Sequence, residues 1–318
     1  MICIVALIVF SLLGIFSATH RQMAKEALNC VFRRVTFRPC NTGFKEKIKS
    51  RMVAKLLNRS VFLARVFNRY YEVFAWIFFI LMIASTFYVV KGGYNYYLYG
   101  SCNGLNKVGF CAFDPKGENN KVTDINESCS AEEKTEENLS LNNVDLSTFP
   151  TRNIGSKDTV VLIGCYECDY TRKAYPDIQR LVNDKKANFI FAHYPVKENV
   201  NNFSEENTNY LSEVGYCVYK EYGDKFWQFN DYLFTVDKVE IYQPEYVNSI
   251  LRNFKFDVDK INECITEPET KKAVNKQLSE VRKTHFYGTP TVFINGKALV
   301  GPKPYRVYRS MLNKFLIF

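Results

Sequence analysis

Two stretches of the chain contain no charged side chain. Met1–Ala18 and Val73–Val90 are both predominantly apolar, and each is close to the roughly 20 residues that a helix needs to cross a bilayer core. Basic residues follow the first stretch, whereas a cleaved signal peptide carries them in front of its apolar run. The sequence therefore predicts two transmembrane helices, at 1–18 and 73–90, with the first one retained as an anchor.

Negative charge is scarce between these two stretches. Residues 19–72 contain thirteen Lys or Arg and three Glu, whereas the net charge of the whole chain is +9. The rest of the chain is therefore close to neutral, which removes the case for nucleic-acid binding that a pI of 8.9 suggests. A short loop with so large a basic excess lies in the cytoplasm. We expect a two-pass protein of the cell membrane, with its loop near anionic lipid and the chain beyond Val90 extracytoplasmic.

Large apolar residues are few between Asp114 and Pro150, a segment rich in Asn, Glu, Ser and Lys. Such a segment buries too little apolar surface to offset the entropy of ordering. Upstream of it, Cys102 and Cys111 flank a Gly/Asn-rich loop, a pattern typical of a disulfide-closed loop in an oxidising compartment. Residues 91–153 are therefore predicted to be an extracytoplasmic linker with one short cysteine loop.

The motif CYEC, formed by Cys165 to Cys168, follows a β-branched and aliphatic run at Thr159–Ile163. The run predicts a buried strand, and apolar residues at helical spacing after Cys168 predict a helix. Cys168 then stands at a helix N-terminus, where unpaired N–H groups and the helix dipole favour the thiolate. A lone CxxC with no second Cys or His pair downstream cannot complete a four-ligand zinc site, so no metal or other cofactor is expected. A purely structural disulfide is the alternative interpretation.

Residues 288–297 read GTPTVFINGK, which predicts a proline, a strand, an Asn-Gly hairpin turn and another strand. The Thr289–Pro290 bond is a good candidate for the cis form. Together with the strand, the cysteine at a helix start and the long helical stretch between the two motifs, this pattern resembles the DsbA-like branch of the thioredoxin superfamily. The resemblance implies an α/β, thioredoxin-like domain over 154–318 with a helical insertion at about 197–285.

The resemblance also implies a thiol:disulfide oxidoreductase, which the two predicted transmembrane helices, outside the resemblance, anchor in the membrane. In the family, the attacking cysteine stands five residues after the last strand residue and eight before a helix-kinking proline. Counted from Ile163 and to Pro176, both distances select Cys168. Thr171 stands where the family has its partner cysteine. Either Cys165 resolves the mixed disulfide from the upstream side, which an i,i+3 turn permits, or Cys168 acts alone with Thr171 as a hydrogen-bond donor.

The resemblance assigns further residues. Thr289 presents its backbone to a substrate peptide, and Pro290 packs in cis against the sulfur. Cys217 and Cys264 resemble a second, structural cysteine pair. Cys129, in the linker, is then left without a partner.

Four other titratable residues bear on the environment of Cys168. Glu167 and Asp169 flank Cys168 and oppose thiolate formation, so we expect a potential less oxidising than the roughly −120 mV of strongly oxidising members. Both acids are otherwise interpreted as solvated loop charges. His193, which ends a predicted strand, is interpreted as structural, and His285 as a helix C-terminal cap.

The leading interpretation is an enzyme that exchanges disulfides with extracytoplasmic protein thiols, served by a redox partner of unknown identity. Cys30 and Cys40, in the cytoplasmic loop, are expected to be reduced. One alternative is a reductant relay that receives electrons through the membrane, for which these two would be the only cytoplasmic thiols available. The other is a peptide-binding or assembly module in which the cysteines only brace a loop.

Overall fold

The computed structural model describes residues 18–36, 43–124, 139–195 and 209–312. The chain divides into two compact units, Met1–Lys91 and Gly92–Phe318. The first predicted membrane segment lies outside the described residues, except for Ala18. Cys40 and Cys129 also lie outside them.

The first unit is helical, with α1 at Ala18–Val35, α2 at Gly43–Leu57 and most of α3, which runs from Val61 to Tyr99. Within the described ranges, α3 is the single helix that is long and apolar enough to cross a membrane. It contains the predicted segment Val73–Val90, whose large apolar side chains are largely exposed around the helix. A helix that is apolar on all sides requires an apolar environment.

Cys30 departs from the sequence-based expectation. It was expected to be a reduced cytoplasmic thiol, but in the structure it is disulfide-bonded and only 4% exposed. The expectation rested on the compartment inferred from the loop's charge. Loop charge carries no information on whether two sulfurs lie within bonding distance, which is a matter of local backbone geometry.

A five-stranded mixed sheet organises the second unit. Its strands are β2 (Thr151–Arg152), β3 (Thr159–Gly164), β4 (Asn188–His193), β6 (Thr291–Ile294) and β7 (Lys297–Val300), and their order across the sheet is β2-β4-β3-β6-β7. Strands β3 and β4 are parallel, and the other pairs are antiparallel. Two short strands, β1 (Thr123–Asp124) and β5 (Gly288–Thr289), pair separately.

Both faces of the central strand β3 are buried, which explains its unbroken apolar run. Val160 and Leu162 belong to the larger core, whereas Val161 and Ile163 face a second cluster that also contains both CYEC cysteines. Alternation along a strand sends neighbouring residues to opposite faces. The Asn-Gly hairpin turn predicted between β6 and β7 is confirmed, with positive φ at Asn295 and Gly296.

Helices cover the sheet and form the insertion. Helix α4 (Asp169–Lys185) follows the CYEC motif and contains Pro176, and α10 (Tyr305–Leu312) ends the described chain. The insertion comprises α5 (Tyr210–Tyr222), α6 (Phe226–Leu233), α7 (Pro244–Asn253), α8 (Val258–Thr266) and α9 (Pro268–Arg282). A Cys217–Cys264 disulfide joins α5 to α8 across 6.0 Å between Cα atoms.

The predicted linker is ordered over much of its length. Cys102 and Cys111 form a disulfide, and the Asp114 carboxylate accepts backbone N–H groups of Glu118 and Asn119 at 2.9 and 3.0 Å. Strand β1 follows. The expectation of disorder is therefore wrong for 114–124, because side-chain caps and backbone pairing, rather than apolar burial, hold this segment.

Residues 139–150 also depart from the expectation of disorder. Phe149 is 2% exposed, and three leucines pack beside it on the second face of the sheet: Leu139, Leu141 and Leu146. The Asp145 N–H donates to Glu280 at 2.9 Å. Strand β2 then joins the sheet before residue 154, the predicted start of the domain. Four apolar residues of this segment pack into the same cluster, which composition alone does not reveal.

The disulfide between α5 and α8 gives the first prediction. Replacing Cys217 and Cys264 together by Ala should lower the free energy of unfolding by about 2–4 kcal/mol, because the bond closes a long loop in the unfolded chain. The bond spans 47 residues, against nine for Cys102–Cys111. The matched double Ala variant of Cys102 and Cys111 should therefore lose about 1.5 kcal/mol less.

Denaturant unfolding of the purified, oxidised chain measures both losses, and mass mapping without reductant identifies the bonds. Free thiols at both Cys217 and Cys264 in the purified, oxidised chain would contradict the pairing. Equal losses for the two double variants would contradict the loop-length argument.

Candidate functional site

The CYEC motif lies where β3 ends and α4 begins. Cys168 is the N-cap residue of α4, and its carbonyl accepts the Arg172 N–H at 3.0 Å. Cys165 and Cys168 form a disulfide with 5.3 Å between Cα atoms. Both residues are 0% exposed. The structure thus places Cys168, but not Cys165, at a helix N-terminus, where the dipole favours a negative charge.

Thr289 and Pro290 lie opposite this turn. The Thr289–Pro290 peptide bond is cis. Strand β6 pairs with β3 so that Thr291 faces Ile163, which brings the residue before Thr291 alongside Gly164 and the start of the motif. The Pro290 carbonyl accepts the Gly301 N–H at 2.9 Å. His285, in contrast, is exposed in the turn after α9, and its N–H donates to the Arg282 carbonyl.

Thr171 is fully buried one turn into α4. Its hydroxyl has no hydrogen-bond partner among the described residues, so it does not bond to Cys168 in this oxidised state. The methyl group instead packs on Gly164, where an added Cβ would lie 2.8 Å from Thr171 Cγ2. Thr171 therefore packs against the last residue of β3, directly before the motif.

Glu167 corrects the interpretation of a solvated loop charge. Its side chain is 8% exposed, and its Oε2 lies 3.1 Å from Cys165 Sγ. The same oxygen is 3.7 Å from His193 Nε2, and His193 Nδ1 is 2.7 Å from the Ser212 hydroxyl oxygen. Asp169 does behave as expected: it is exposed, and it forms an ion pair with Lys238 at 2.7 Å.

His193 could have been placed from sequence by a simple rule. Parallel strands end at the same edge of a sheet, and the register pairs Gly164 with His193. The residue that ends β4 therefore lies beside the residue that precedes Cys165. Both strand ends are predicted from the sequence. Without the adjacency of the two ends, however, His193 is interpreted as a structural residue.

Tyr166 and Arg172 are functional neighbours that the sequence does not reveal. Tyr166 is 1% exposed, stacks on His193 at 4.6 Å between ring centroids, and donates its hydroxyl to Asn230 Oδ1 at 2.7 Å. Burial raises the pKa of the Tyr166 hydroxyl well above its usual range, so the group stays protonated and remains a donor.

Arg172 joins the CYEC turn to the insertion. Its guanidinium donates to the carbonyls of Tyr166 and Val236, and to that of Leu233 at 3.0 Å. These partners are up to 64 residues away, and nothing in the local sequence pattern around Arg172 indicates them. Among the described residues, no group of three or more His, Cys, Asp or Glu side chains could hold a metal ion.

A thioredoxin-like mixed sheet with a CxxC disulfide at a helix start and a cis-proline beside it defines a thioredoxin-fold disulfide protein. A family model described as thioredoxin matches residues 148–314, more than half of the chain. The chain therefore belongs to the thioredoxin family.

Individual relatives share a low sequence identity with this chain. A probable disulfide bond formation protein D of Bacillus anthracis is 24% identical over 158 residues, which cover 46% of this chain and 70% of that protein. The DsbA-like resemblance drawn from the sequence is thereby confirmed.

Two solved structures are also similar. The thiol-disulfide exchange protein alpha-DsbA2 from Wolbachia pipientis is 23% identical, with a TM-score of 0.46 and coverage of 52% of this chain and 87% of that one. Oxidised BdbD from Bacillus subtilis is 20% identical, with a TM-score of 0.43 and coverage of 53% and 91%.

The contact between Gly164 and Thr171 gives the second prediction. Gly164→Ala should lower the free energy of unfolding by about 1–3 kcal/mol, because the new methyl group overpacks the strand–helix contact. Thr171→Ser removes the opposing Cγ2 atom and should restore part of the loss. Thermal unfolding of the single and double variants measures both effects.

Gly215→Ala is the matched control, since an added Cβ there meets its nearest atom at 3.7 Å, an ordinary contact. It lies inside α5 and should be neutral or stabilising, because Ala loses less backbone entropy than Gly in a helix. Equal destabilisation at Gly164 and Gly215 would contradict the packing argument.

Proposed function

We propose that the chain is a membrane-anchored thiol:disulfide oxidoreductase that exchanges disulfides with exported proteins through Cys168 and Cys165. The observation that carries the proposal is the Cys165–Cys168 disulfide, whose second sulfur belongs to the N-cap residue of α4. Thiol–disulfide exchange needs a thiolate of moderate stability, and a helix N-terminus provides it. No metal or cofactor enters the reaction.

Oxidation of a substrate dithiol proceeds in two exchanges. A substrate thiolate attacks Cys168 Sγ, the Cys165–Cys168 bond breaks, and Cys165 leaves as a thiolate. The second substrate thiolate then attacks its partner sulfur in the mixed disulfide, and Cys168 leaves as a thiolate. Two electrons pass from the substrate dithiol to the enzyme, and the reverse sequence reduces a substrate disulfide.

Glu167 distinguishes the two sulfurs. The Glu167 carboxylate, 3.1 Å from Cys165 Sγ, opposes a negative charge on that sulfur and accepts a hydrogen bond from the Cys165 thiol once the disulfide is reduced. Cys168 instead benefits from the helix N-terminus. The charge distribution therefore favours a protonated Cys165 and an ionised Cys168, in agreement with Cys168 as the attacking cysteine and Cys165 as the resolving one.

Thr289 and Pro290 complete the proposed site. Thr289 offers backbone hydrogen-bonding groups to an extended peptide, and Pro290, which has no N–H, lies next to the motif. Thr171 supports Gly164, and its hydroxyl is available to a reduced Cys168. Cys217–Cys264 and Cys102–Cys111 serve as structural disulfides.

The proposed location is the cell membrane, with the catalytic domain outside the cytoplasm. Helix α3 supports one membrane crossing, and the basic excess of residues 19–72 supports a cytoplasmic position for that loop, near membrane lipid. The alternative of a relay would use Cys30, which is disulfide-bonded, and Cys40, which lies outside the described residues. The binding-module alternative differs from the enzyme in lacking redox turnover.

The third prediction concerns which sulfur attacks. A Cys165→Ser variant should accumulate mixed disulfides with substrate proteins through Cys168, because the resolving thiol is absent. Cys168→Ser should trap nothing and lose exchange activity. Electrophoresis of the exported fraction, run once without and once with reductant, detects the trapped complexes as bands that disappear on reduction.

The reverse asymmetry, with trapping by Cys168→Ser alone, would make Cys165 the attacking residue. Full exchange activity in both single variants would remove the enzyme interpretation and favour the binding module. Oxidation of a model dithiol peptide by the purified chain supplies the activity measurement.

The fourth prediction concerns Glu167. In a reduced Cys168→Ser background, Glu167→Gln should lower the pH at which Cys165 ionises, because it removes the carboxylate that lies 3.1 Å from the sulfur. Thiolate absorbance, taken as a difference against the variant lacking both cysteines, follows this titration. Asp169→Asn is the matched control, since its carboxylate is exposed and paired with Lys238, and it should leave the Cys165 titration in place. Equal shifts in both variants would contradict a specific role for Glu167.

A further inference from the structure

The edge of β5 is already occupied by another part of this chain. Strand β1 pairs with it in antiparallel register, Thr123 opposite Thr289 and Asp124 opposite Gly288. Thr289 and Gly288 are the two residues that precede the cis-proline. We call residues 118–124, with the sequence ENNKVTD, the strap.

The strap is anchored at its N-terminal half. The buried Lys303 ammonium donates to the Asn119 carbonyl at 2.8 Å and to the Asn120 side chain. Glu118 forms an ion pair with Lys173 of α4 at 3.1 Å. Hydrogen bonds from Lys121 and Lys173 lower the pKa of Glu118 to about 2, so the carboxylate stays charged at neutral pH. The segment is thus fastened both to α4 and to the loop that follows β7.

Two glycines make room for the strap. A Cβ atom on Gly288 would lie 2.6 Å from Val122 Cγ2, and one on Gly301 would lie 2.8 Å from the Lys121 carbonyl oxygen. Contacts this short are not tolerated between real side chains. Both positions therefore accommodate the strap only as glycine, and Gly301 also has a positive φ of 79°.

The two sulfurs of the proposed site are closed to solvent. Cys165, Cys168 and Thr289 are each 0% exposed. Thiol–disulfide exchange requires a thiolate to reach a sulfur directly, and an extended peptide can pair with β5 only where the edge is free. In this arrangement neither requirement is met.

From these observations we infer that the strap is a resident pseudo-substrate: it occupies in cis the β5 edge at which an extended substrate peptide pairs, and exchange requires its displacement. The inference rests on the proposed function. A tethered strand acts at an effective concentration of about millimolar order. A substrate peptide therefore has to compete with the strap, and its apparent affinity falls by the fraction of molecules in which the edge is free.

The test compares Thr123→Pro with Thr123→Val in the full chain. Proline removes a backbone N–H and restricts φ, which disfavours a paired strand, whereas valine keeps the backbone and suits a strand. In the proline variant, a water-soluble phosphine should reduce the Cys165–Cys168 bond about tenfold faster or more. This is the change expected if the fraction of molecules with a free β5 edge rises about tenfold. The valine variant should match the original chain. Mass mapping of alkylated thiols identifies the reduced bond, and Cys217–Cys264 provides the internal reference.

Gly288→Ala tests the same contact from the opposite side. Its new methyl group should displace Val122 and, as in Thr123→Pro, increase the rate of phosphine reduction. A thiol-free peptide with the sequence ENNKVTD should inhibit dithiol-peptide oxidation by the Thr123→Pro variant more strongly than by the original chain. In that variant, the KM for the dithiol peptide should fall while kcat is retained.

The outcomes separate the two proposals. Unchanged phosphine reduction in both Thr123→Pro and Gly288→Ala, with circular dichroism showing folded chains, would overturn the strap. Faster reduction without any dithiol oxidation in any variant would support the strap as a cover and remove the oxidoreductase function. Unfolding of Thr123→Pro alone would leave Gly288→Ala to decide.

Discussion

The parallel pairing of β3 with β4 is the constraint on which the site depends. Because the two strands end together, Gly164 lies beside His193, and the residues that follow each strand share one edge of the sheet. The chain turns at Cys165 toward the start of α4, and the Tyr166 ring stacks on the His193 ring. The contact of Gly164 with Thr171 keeps α4 close to that edge. The positions of both sulfurs and of their acidic neighbour follow from this one pairing.

The two cysteines differ in charge environment although only three residues separate them. Cys168 is the N-cap residue of α4, so the unpaired N–H groups of the first turn favour a negative sulfur. Cys165 lies against the buried Glu167, which favours a neutral sulfur when it is ionised. A motif with two similar thiols thereby acquires a direction. Glu167, the acid between the cysteines, supplies this difference. Its neighbour Tyr166 is hydrogen-bonded to Asn230 of the insertion.

The sequence predicted the elements that have strong local signals. The run TVVLI, the helix after Cys168, the Asn-Gly hairpin and the helical insertion all appear where the pattern placed them. It did not predict contacts between distant segments, such as Glu167 with His193 or Arg172 with the end of α6. Burial of Glu167 depends on what packs above the motif, and no local rule reports that. The first predicted membrane segment and Cys129 lie outside the described residues.

The segment expected to be a linker shows why composition failed there. Composition measures how much apolar surface a segment can bury, but much of residues 100–124 is held by polar groups. Asn106 accepts the Val300 N–H at 2.9 Å and donates to the Ala298 carbonyl at 3.0 Å, so it satisfies the outer edge of β7. Strand β1 does the same for β5. Unpaired strand edges invite association with other chains, and proteins commonly cover them. The polar segment is ordered because the strands offer it unpaired backbone groups, and covering those groups pairs the strap with Thr289, the residue before the cis-proline.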